Sequence, residues 1–515
     1  MPGAFAKVLS YGVFGITPYQ VGVELDVTIG QHEQLVFQVV GLPEGAVKES
    51  RERVRASVGN SGFWFPTGRI TANLAPADIR KEGAAFDLPL AIGVLAATGA
   101  VAQDRLGTCA MVGELGLDGE LRPVRGGLPL ALGARDDGIQ SILVPEPNAN
   151  EAAVVEGVDV IPVSTLKEAV AYLAAEREIT PRRASPFEQT APQARVPDMA
   201  EVRGQAGARR AMEVAAAGGH NLLMIGPPGS GKTMLARRLP GILPPMTFEE
   251  AIDATKIHSI AGLTVGNGLV TARPFRSPHH TISNIALVGG GAVPRPGEIS
   301  LAHHGVLYLD EMPEFTRQVL ETLRQPLEDG EVTVARAAMT CSFPARFMLC
   351  GSMNPCPCGY LGDPARECRC SPAEVQRYRG RMSGPLLDRI DLHVDVPAVK
   401  YQELTRGEKG EASARVRERV VNARRRQLER FGGRRGLFCN AQMTGKDLEA
   451  HCRLDEAPLR LLERAMDRMG LSARAYNRIL RVARTIADLA QVETISREHI
   501  SEAIHYRTLD RKLWE

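Results

Sequence analysis

The chain has 515 residues, 44% hydrophobic and 24% charged, the proportions of an ordinary soluble globular protein of three or four domains at roughly 150 residues each. Disordered and fibrous classes are excluded, and the uncharged stretch 88–103, 16 residues broken by Pro89 and Gly93, is too short to span a bilayer. Lys and Arg total 62 against 60 Asp and Glu, so the net charge of +2 neither favours nor excludes a polyanionic partner; only its local distribution can decide.

The opening MPGAFAKVLSYGVFG lacks the basic start, apolar core and cleavage site of an export leader, and the nine cysteines are odd in number. Both features predict a cytoplasmic protein with reduced thiols. Over residues 1–176, apolar runs such as QLVFQVVGLP and SILVPEP alternate with Gly and Pro punctuation and with the helix-like FDLPLAIGVLAATG, which predicts a domain of mixed strands and helices. Residues 177–200 hold four prolines and few apolar side chains and are predicted to be an exposed linker. Residues 201–397 open with the helix-like AGARRAMEVAAAGG, the apolar strand NLLMI and a glycine-rich turn. A second apolar strand follows at GVLYLD, and together they predict a parallel nucleotide-binding sheet. Residues 398–515 turn helical and Arg-rich, with an interruption at Gly432, Gly433 and Gly436.

The turn after NLLMI reads Gly226, Pro227, Pro228, Gly229, Ser230, Gly231, Lys232, Thr233 and leads into the helix-forming MLARRL, the context a P-loop requires. Its glycines let backbone N–H groups turn inward around phosphate oxygens. Lys232 adds a point charge at the β- and γ-phosphates, and Thr233 supplies a ligand for Mg2+. The strand at GVLYLD delivers Asp310 and Glu311 to the carboxyl edge of the sheet. Asp310 is expected to hold Mg2+, directly or through water, and Glu311 to orient and deprotonate the attacking water. ATP and Mg2+ are therefore the expected cofactors.

Cys356, Cys358, Cys368 and Cys370 form two CxC pairs separated by nine residues. Four thiolates are the ligand set of a structural tetrahedral Zn2+ site, with no open position for water; four reduced thiols in a loop is the other reading, because CxxC is the more usual spacing. Residues 415–435 hold nine Arg and two Glu, a local +7, and 460–484 hold seven Arg against one Glu and one Asp. Such clusters suit phosphate-directed, salt-sensitive DNA binding, with Arg424, Arg425 and Arg426 as candidate contacts; a solvated helix face or contacts between subunits is the alternative. With 5% aromatic residues, base stacking contributes little.

In this order, GPPGSGKT, GVLYLDEMPEF, GSMNPCPCG and LLDRIDLHVDVP resemble the core of the AAA+ superfamily, and the whole chain resembles its Mg-chelatase-like YifB/ComM family. The resemblance implies an α/β protein with an N-terminal α+β domain like that of ribosomal S5 and Lon proteases, a P-loop AAA+ parallel-sheet core and a C-terminal helical lid. It implies that Asn354 is the sensor-1 residue that positions the lytic water. It likewise makes Arg389 an arginine finger reaching a neighbouring subunit's γ-phosphate and Arg474 the sensor-2 arginine of the lid. A finger acting between subunits implies a homo-oligomeric ring, expected to be a hexamer. Residues 331–343 read as two short strands with Arg336 near their turn. In related helicases such a hairpin faces the ring channel, which makes Arg336 a candidate DNA contact. Adjacent His279 and His280 lack a third ligand nearby and read as hydrogen-bonding residues.

The stretches KEGAAFDLPLAIGVLAA and MVGELGLDGELRPVRGGLPLALGA carry the Lon-like resemblance. Lon chemistry needs a serine nucleophile and a lysine base. In those places this chain has Gly83, Ala84, Ala85, Phe86, Asp87 and Gly127, Leu128, Pro129, Leu130, Ala131, which opposes proteolysis. The domain reads instead as a ring cap or a DNA-engaging module, with Arg51, Arg53 and Arg55 permitting a nucleic-acid face. The implied function is an ATP-hydrolysing, ring-forming DNA motor, a helicase or branch-migration enzyme of recombination or natural transformation acting on branched or single-stranded DNA. The alternative is a chelatase-type ATPase subunit that drives metal insertion through a partner protein; the lack of an acidic metal-binding domain speaks against it.

Overall fold

The computed structural model describes residues 4–30, 35–184, 187, 196–264, 266, 268–291, 294–336, 339–363, 366–399, 410–434 and 436–508. The first sheet has seven strands in the order Val36–Val40, Gly68–Ala75, Thr17–Ile29, Ala4–Phe14, Cys109–Met111, Ser141–Pro145, Asp159–Val163. Gly68–Ala75, Thr17–Ile29 and Ala4–Phe14 pair antiparallel and the outer strands parallel, so hairpins and helical crossovers share one sheet. Period-two burial puts Val8, Ile70, Ala72 and Leu74 on one face of this sheet. Helix Asp87–Ala97 lies against that face, and all of its residues are buried; an enclosed helix is apolar all round, as the run LPLAIGVLAA is.

The second sheet has five parallel strands in the order Phe275–Arg276, Val306–Leu309, Met348–Met353, Leu222–Ile225, Leu392–Asp395. Val306–Leu309, Met348–Met353 and Leu222–Ile225 are buried at every position, as unalternating apolar strands covered on both faces must be. The strand that ends before Asn354 therefore runs between the acid strand and the P-loop strand, and their carboxyl ends lie side by side.

Among the described residues five helices of the C-terminal part, Ser413–Phe431, Gly445–His451, Glu456–Met469, Ala473–Leu489 and Arg497–His505, follow the sheet. Val420, Ile479, Val482 and Ile486 from these helices share one apolar core with Val214 of helix Ala206–Gly218 and Leu222 of the P-loop strand. Gly432, at φ +59°, caps the first of them in the left-handed region, where the chain predicts an interruption.

Contacts between the N-terminal part and the core include the following. Helix Gly127–Asp136 packs on helix Phe248–Ile260, and Thr264 donates a hydrogen bond to buried Glu151. The turn after Ala4–Phe14 sets Phe14 and Ile16 against the cluster containing Val332, Val334 and Phe343, which belong to the antiparallel hairpin of Glu331–Arg336 and Met339–Pro344.

The exposed linker expected over 177–200 is corrected at its ends. Ile179 packs on the first core, Arg182 bridges to Val160 and pairs with Glu146, and Met199 is buried; residues 185–186 and 188–195 lie outside the described residues. Among the described residues no helix is long and apolar enough to cross a membrane.

Candidate nucleotide and metal sites

The P-loop is shaped by close backbone approach. A Cβ at Gly226 would lie 2.1 Å from the Val396 carbonyl oxygen, and Gly231 sits at φ +87°, so only glycine fits either position. Lys232 is 8% exposed and folds back over the loop: its Nζ donates to the carbonyls of Gly226 at 2.7 Å and Pro227 at 2.9 Å and to Asn354 Oδ1 at 3.2 Å. Thr233 Oγ1 donates to Asp310 Oδ2 at 2.8 Å. Three adjacent strands thus bring together residues 77 and 122 positions apart in the chain.

Asp310 and Glu311 are held by a residue that the sequence reading does not single out. Ser352 Oγ donates to Asp310 Oδ1 and accepts the Glu311 N–H at 3.0 Å. Glu311 is exposed and stands at φ +52°, a conformation seldom adopted by residues other than glycine. Burial pushes the Asp310 carboxyl up, but hydrogen bonds from Ser352 and Thr233 outweigh it and hold the group below its ordinary value. Burial lowers the Lys232 pKa, against the opposing pull of Asp310 and Glu311. The Thr233 proton points at an ionised Asp310, which leaves oxygen lone pairs on both residues for a hard cation such as Mg2+.

Arg389 and Arg474 lie elsewhere. Both line a cavity of about 500 Å3 together with Asp391, Asn477 and Arg478, and none of residues 226–233 lines it. Arg389 is 8% exposed, donates to the Pro385 carbonyl at 2.7 Å and pairs with Glu328. Burial lowers its pKa, and the like charges of Arg324 and Arg474 add to the effect. Arg474 is exposed, with no hydrogen-bond or ion-pair partner among the described residues. On helix Ala473–Leu489 it shares one face with Arg478 and Arg481, at i, i+4 and i+7.

The four clustered cysteines converge. Their sulfurs all lie within 4.8 Å of one another, with Cys356–Cys358 at 3.4 Å, Cys356–Cys368 at 3.7 Å and Cys358–Cys368 at 3.6 Å. The Cys358 N–H donates to Cys370 Sγ at 3.4 Å, and all four thiols are free. Tetrahedral Zn2+ with bonds of about 2.3 Å sets sulfurs roughly 3.8 Å apart, so the donor set and its spacing fit that ion. Asp253, His303 and His304 also cluster within 4.8 Å. There His303 Nδ1 accepts the Arg346 N–H at 3.0 Å, which puts the neutral ring's proton on Nε2 and leaves no lone pair for a cation. His279 bonds Thr281 at 3.0 Å and packs on the His280 ring at 4.1 Å; neither belongs to a ligand cluster among the described residues.

The basic surface expected over 415–435 is corrected in large part. Arg424 is buried and donates to the carbonyls of Ala216 and Ala217, so its charge serves packing and does not face a polyanion. Arg426 bonds the Gln491 carbonyl, Arg419 pairs with Glu411 and Glu213, Arg430 with Asp488 and Arg434 with Asp447. Arg425 and Arg415 stay exposed. In the N-terminal part Arg53 is spent on buried Asp87 and Arg51 on the Phe37 carbonyl, leaving Arg55 exposed. The backbone of Arg336 ends the first strand of its hairpin; its side chain lies outside the described residues.

A phosphate loop, a strand-end acid pair and an asparagine just past the strand between them define a P-loop protein of the AAA+ type, and the chain belongs to the magnesium-chelatase-like AAA+ family, in its ComM and YifB branch. It matches the families described as magnesium chelatase, subunit ChlI, over 198–404, subunit ChlI of Mg-chelatase over 23–148, and the ChlI C-terminal region over 410–507. Competence protein ComM of Haemophilus influenzae is 44% identical over 518 residues, 99% of each chain. Uncharacterized protein YifB of Salmonella typhimurium is 42% identical over 515 residues, 99% of this chain and 98% of its own. The chloroplastic magnesium-chelatase subunit ChlI of Oryza sativa subsp. indica is 30% identical over 119 residues, 23% of each chain.

Ser352 was within reach of the sequence, since a strand's period of two puts it on the same side as Asn354. Glu328, which holds Arg389, and Gly359, which touches the P-loop, carry no local signal.

Proposed function

We propose that this protein hydrolyses ATP with Mg2+ and uses the reaction, as a homo-oligomeric ring of six subunits, to move branched or single-stranded DNA. The observation that carries the ATPase reading is the convergence of Lys232, Thr233, Asp310 and Asn354 within hydrogen-bond distance. Lys232 releases its loop carbonyls to face the β- and γ-phosphates, and Thr233 and Asp310 hold Mg2+, which when bound neutralises phosphate charge. Glu311 accepts the proton of the attacking water while Asn354 fixes that water's position. The placement of Arg389 and Arg474 in a cavity apart from their own P-loop supports their acting on a neighbouring subunit's nucleotide.

The DNA reading is supported by full-length similarity to a protein named for competence and by the exposed Arg415 and Arg425. The chelatase reading rests on the family descriptions and on a relative that shares 119 residues. Structural Zn2+ at Cys356, Cys358, Cys368 and Cys370 is supported by their sulfur spacing. Elemental analysis of protein purified without chelator should find close to one zinc per chain, and a small fraction of that rejects the site.

The deciding experiment compares ATP hydrolysis and unwinding of a forked or four-way DNA junction by the wild type, Lys232→Ala and Glu311→Gln. Activity should be lost in both variants, with DNA binding retained in Glu311→Gln. Hydrolysis that DNA does not stimulate at low salt rejects the motor and leaves the chelatase reading.

A further inference from the structure

Ser352 occupies an unusual place in this site. It is fully buried on strand Met348–Met353, two residues before Asn354, and its single hydroxyl serves both acids of the neighbouring strand. As donor it bonds Asp310 Oδ1; as acceptor it takes the Glu311 N–H at 3.0 Å. Asp310 has its other oxygen bonded by Thr233 Oγ1 at 2.8 Å, so the carboxylate is clamped between the P-loop and the central strand and cannot rotate without breaking one of the two bonds. Glu311 leaves the strand at φ +52°, a strained left-handed turn that persists only where the surroundings hold it. Among its hydrogen-bonded neighbours, Ser352 is the side chain that receives the N–H of that turn.

We propose that Ser352 is a positioning residue of the hydrolytic site: one hydroxyl fixes the carboxylate of Asp310 and the backbone of Glu311 together, and so sets the distance between the Mg2+ position and the general base. This rests on the ATPase reading above. A strand-borne hydroxyl is suited to the task because a strand in the middle of a parallel sheet is among the stiffest elements of the fold, and a base displaced by about 1 Å loses roughly a hundredfold in rate. The two acids are also neighbours in the chain, at a turn whose left-handed conformation is strained. Ser352 acts through them and does not touch the phosphates.

Two readouts test the proposal. In hydrogen exchange of the nucleotide-free protein, the peptide covering residues 306–315 should take up about one more deuteron at short times in Ser352→Ala than in the wild type, and Ser352→Thr should match the wild type. In steady-state hydrolysis, Ser352→Ala should lose at least about tenfold in kcat with KM for MgATP changed by less than about threefold, and Ser352→Thr should recover most of the loss. Unchanged exchange in Ser352→Ala overturns the contact, and unchanged kcat overturns the role. If Ser352→Ala does not fold, the near-isosteric Ser352→Cys, a weaker donor and acceptor, replaces it, and wild-type kcat in that variant likewise overturns the role. A wild type without ATPase activity rejects the parent reading, while the exchange arm still reports whether Ser352 holds the Glu311 turn.

Discussion

Gly359 of the cysteine loop lies directly against Pro228 of the phosphate loop: at φ +85° its backbone comes so near that a Cβ there would stand 2.4 Å from Pro228 Cδ. The contact lies five residues beyond Asn354, which bonds Lys232, so a short stretch of chain touches the P-loop twice. The cysteine loop therefore packs directly against the glycine-rich loop of residues 226–233. Gly359→Ala adds a left-handed alanine, a strain of roughly 1–2 kcal/mol, and drives a methyl into Pro228. Affinity for a fluorescent ATP analogue should fall at least about fivefold, the equivalent of about 1 kcal/mol, with zinc content unchanged. Unaltered affinity would separate the two loops functionally.

Arg389 is tied to Glu328 of its own subunit and lines a cavity free of its own P-loop. Arg389→Ala should abolish hydrolysis and leave ATP binding intact. Mixing it with Lys232→Ala should restore part of the activity, because some interfaces then join an intact Lys232 to an intact Arg389 from the next subunit. A mixture as inactive as its components would place the arginine's action within one chain.

Neighbouring arginines of helix Ser413–Phe431 should behave oppositely. Arg424→Ala strands the Ala216 carbonyl, leaves Ala217 with Gln427 alone as side-chain donor, opens a cavity in the core and should lower stability by about 2–4 kcal/mol in denaturant unfolding. Arg425→Glu should leave stability within about 0.5 kcal/mol and weaken DNA binding, with a shallower dependence on salt. Equal DNA affinity in Arg425→Glu assigns that face to another role.

Burial raises the Glu82 carboxyl to about 7, reinforced by Glu44 and opposed by Arg80 and Arg295. Its folded pKa lies above the unfolded value of 4.5, so the folded state binds the extra proton between these two values, and stability from this group falls as pH rises from 4.5 through 7. Glu82→Gln should therefore raise the melting temperature at pH 8 and leave it unchanged at pH 4. Calorimetry at the two pH values checks the sign, and an equal shift at both rejects it.

Much of the candidate nucleotide site was legible in the chain. GPPGSGKT and GVLYLDE follow from chemistry that only glycine, lysine, hydroxyl and carboxylate can perform at those spacings, and the apolar runs before them must be buried strands. The helices Asp87–Ala97, Ala206–Gly218 and Ser413–Phe431 were legible for a similar reason, because burial pattern and capping glycines are local. The arginine blocks misled, since charge density along a sequence does not say which guanidinium finds a carboxylate. Arg419 and Arg430 meet Glu213 and Asp488 from distant segments, and Arg434 meets Asp447 13 residues further along the chain.

By itself the sequence determined the family, and it picked out the candidate residues for phosphate and metal binding and the cysteine set, because these depend on residue type at short spacing. Tertiary structure alone decided the rest: that Ser352 joins Asp310 to Glu311, that Arg389 and Arg474 share a cavity apart from their own P-loop, that Arg424 is inside, and that Gly359 abuts Pro228. Each of these is a contact between strands, helices or loops distant in the chain. Such contacts are set by which surfaces can be buried together, a property of the packed whole that no local pattern encodes.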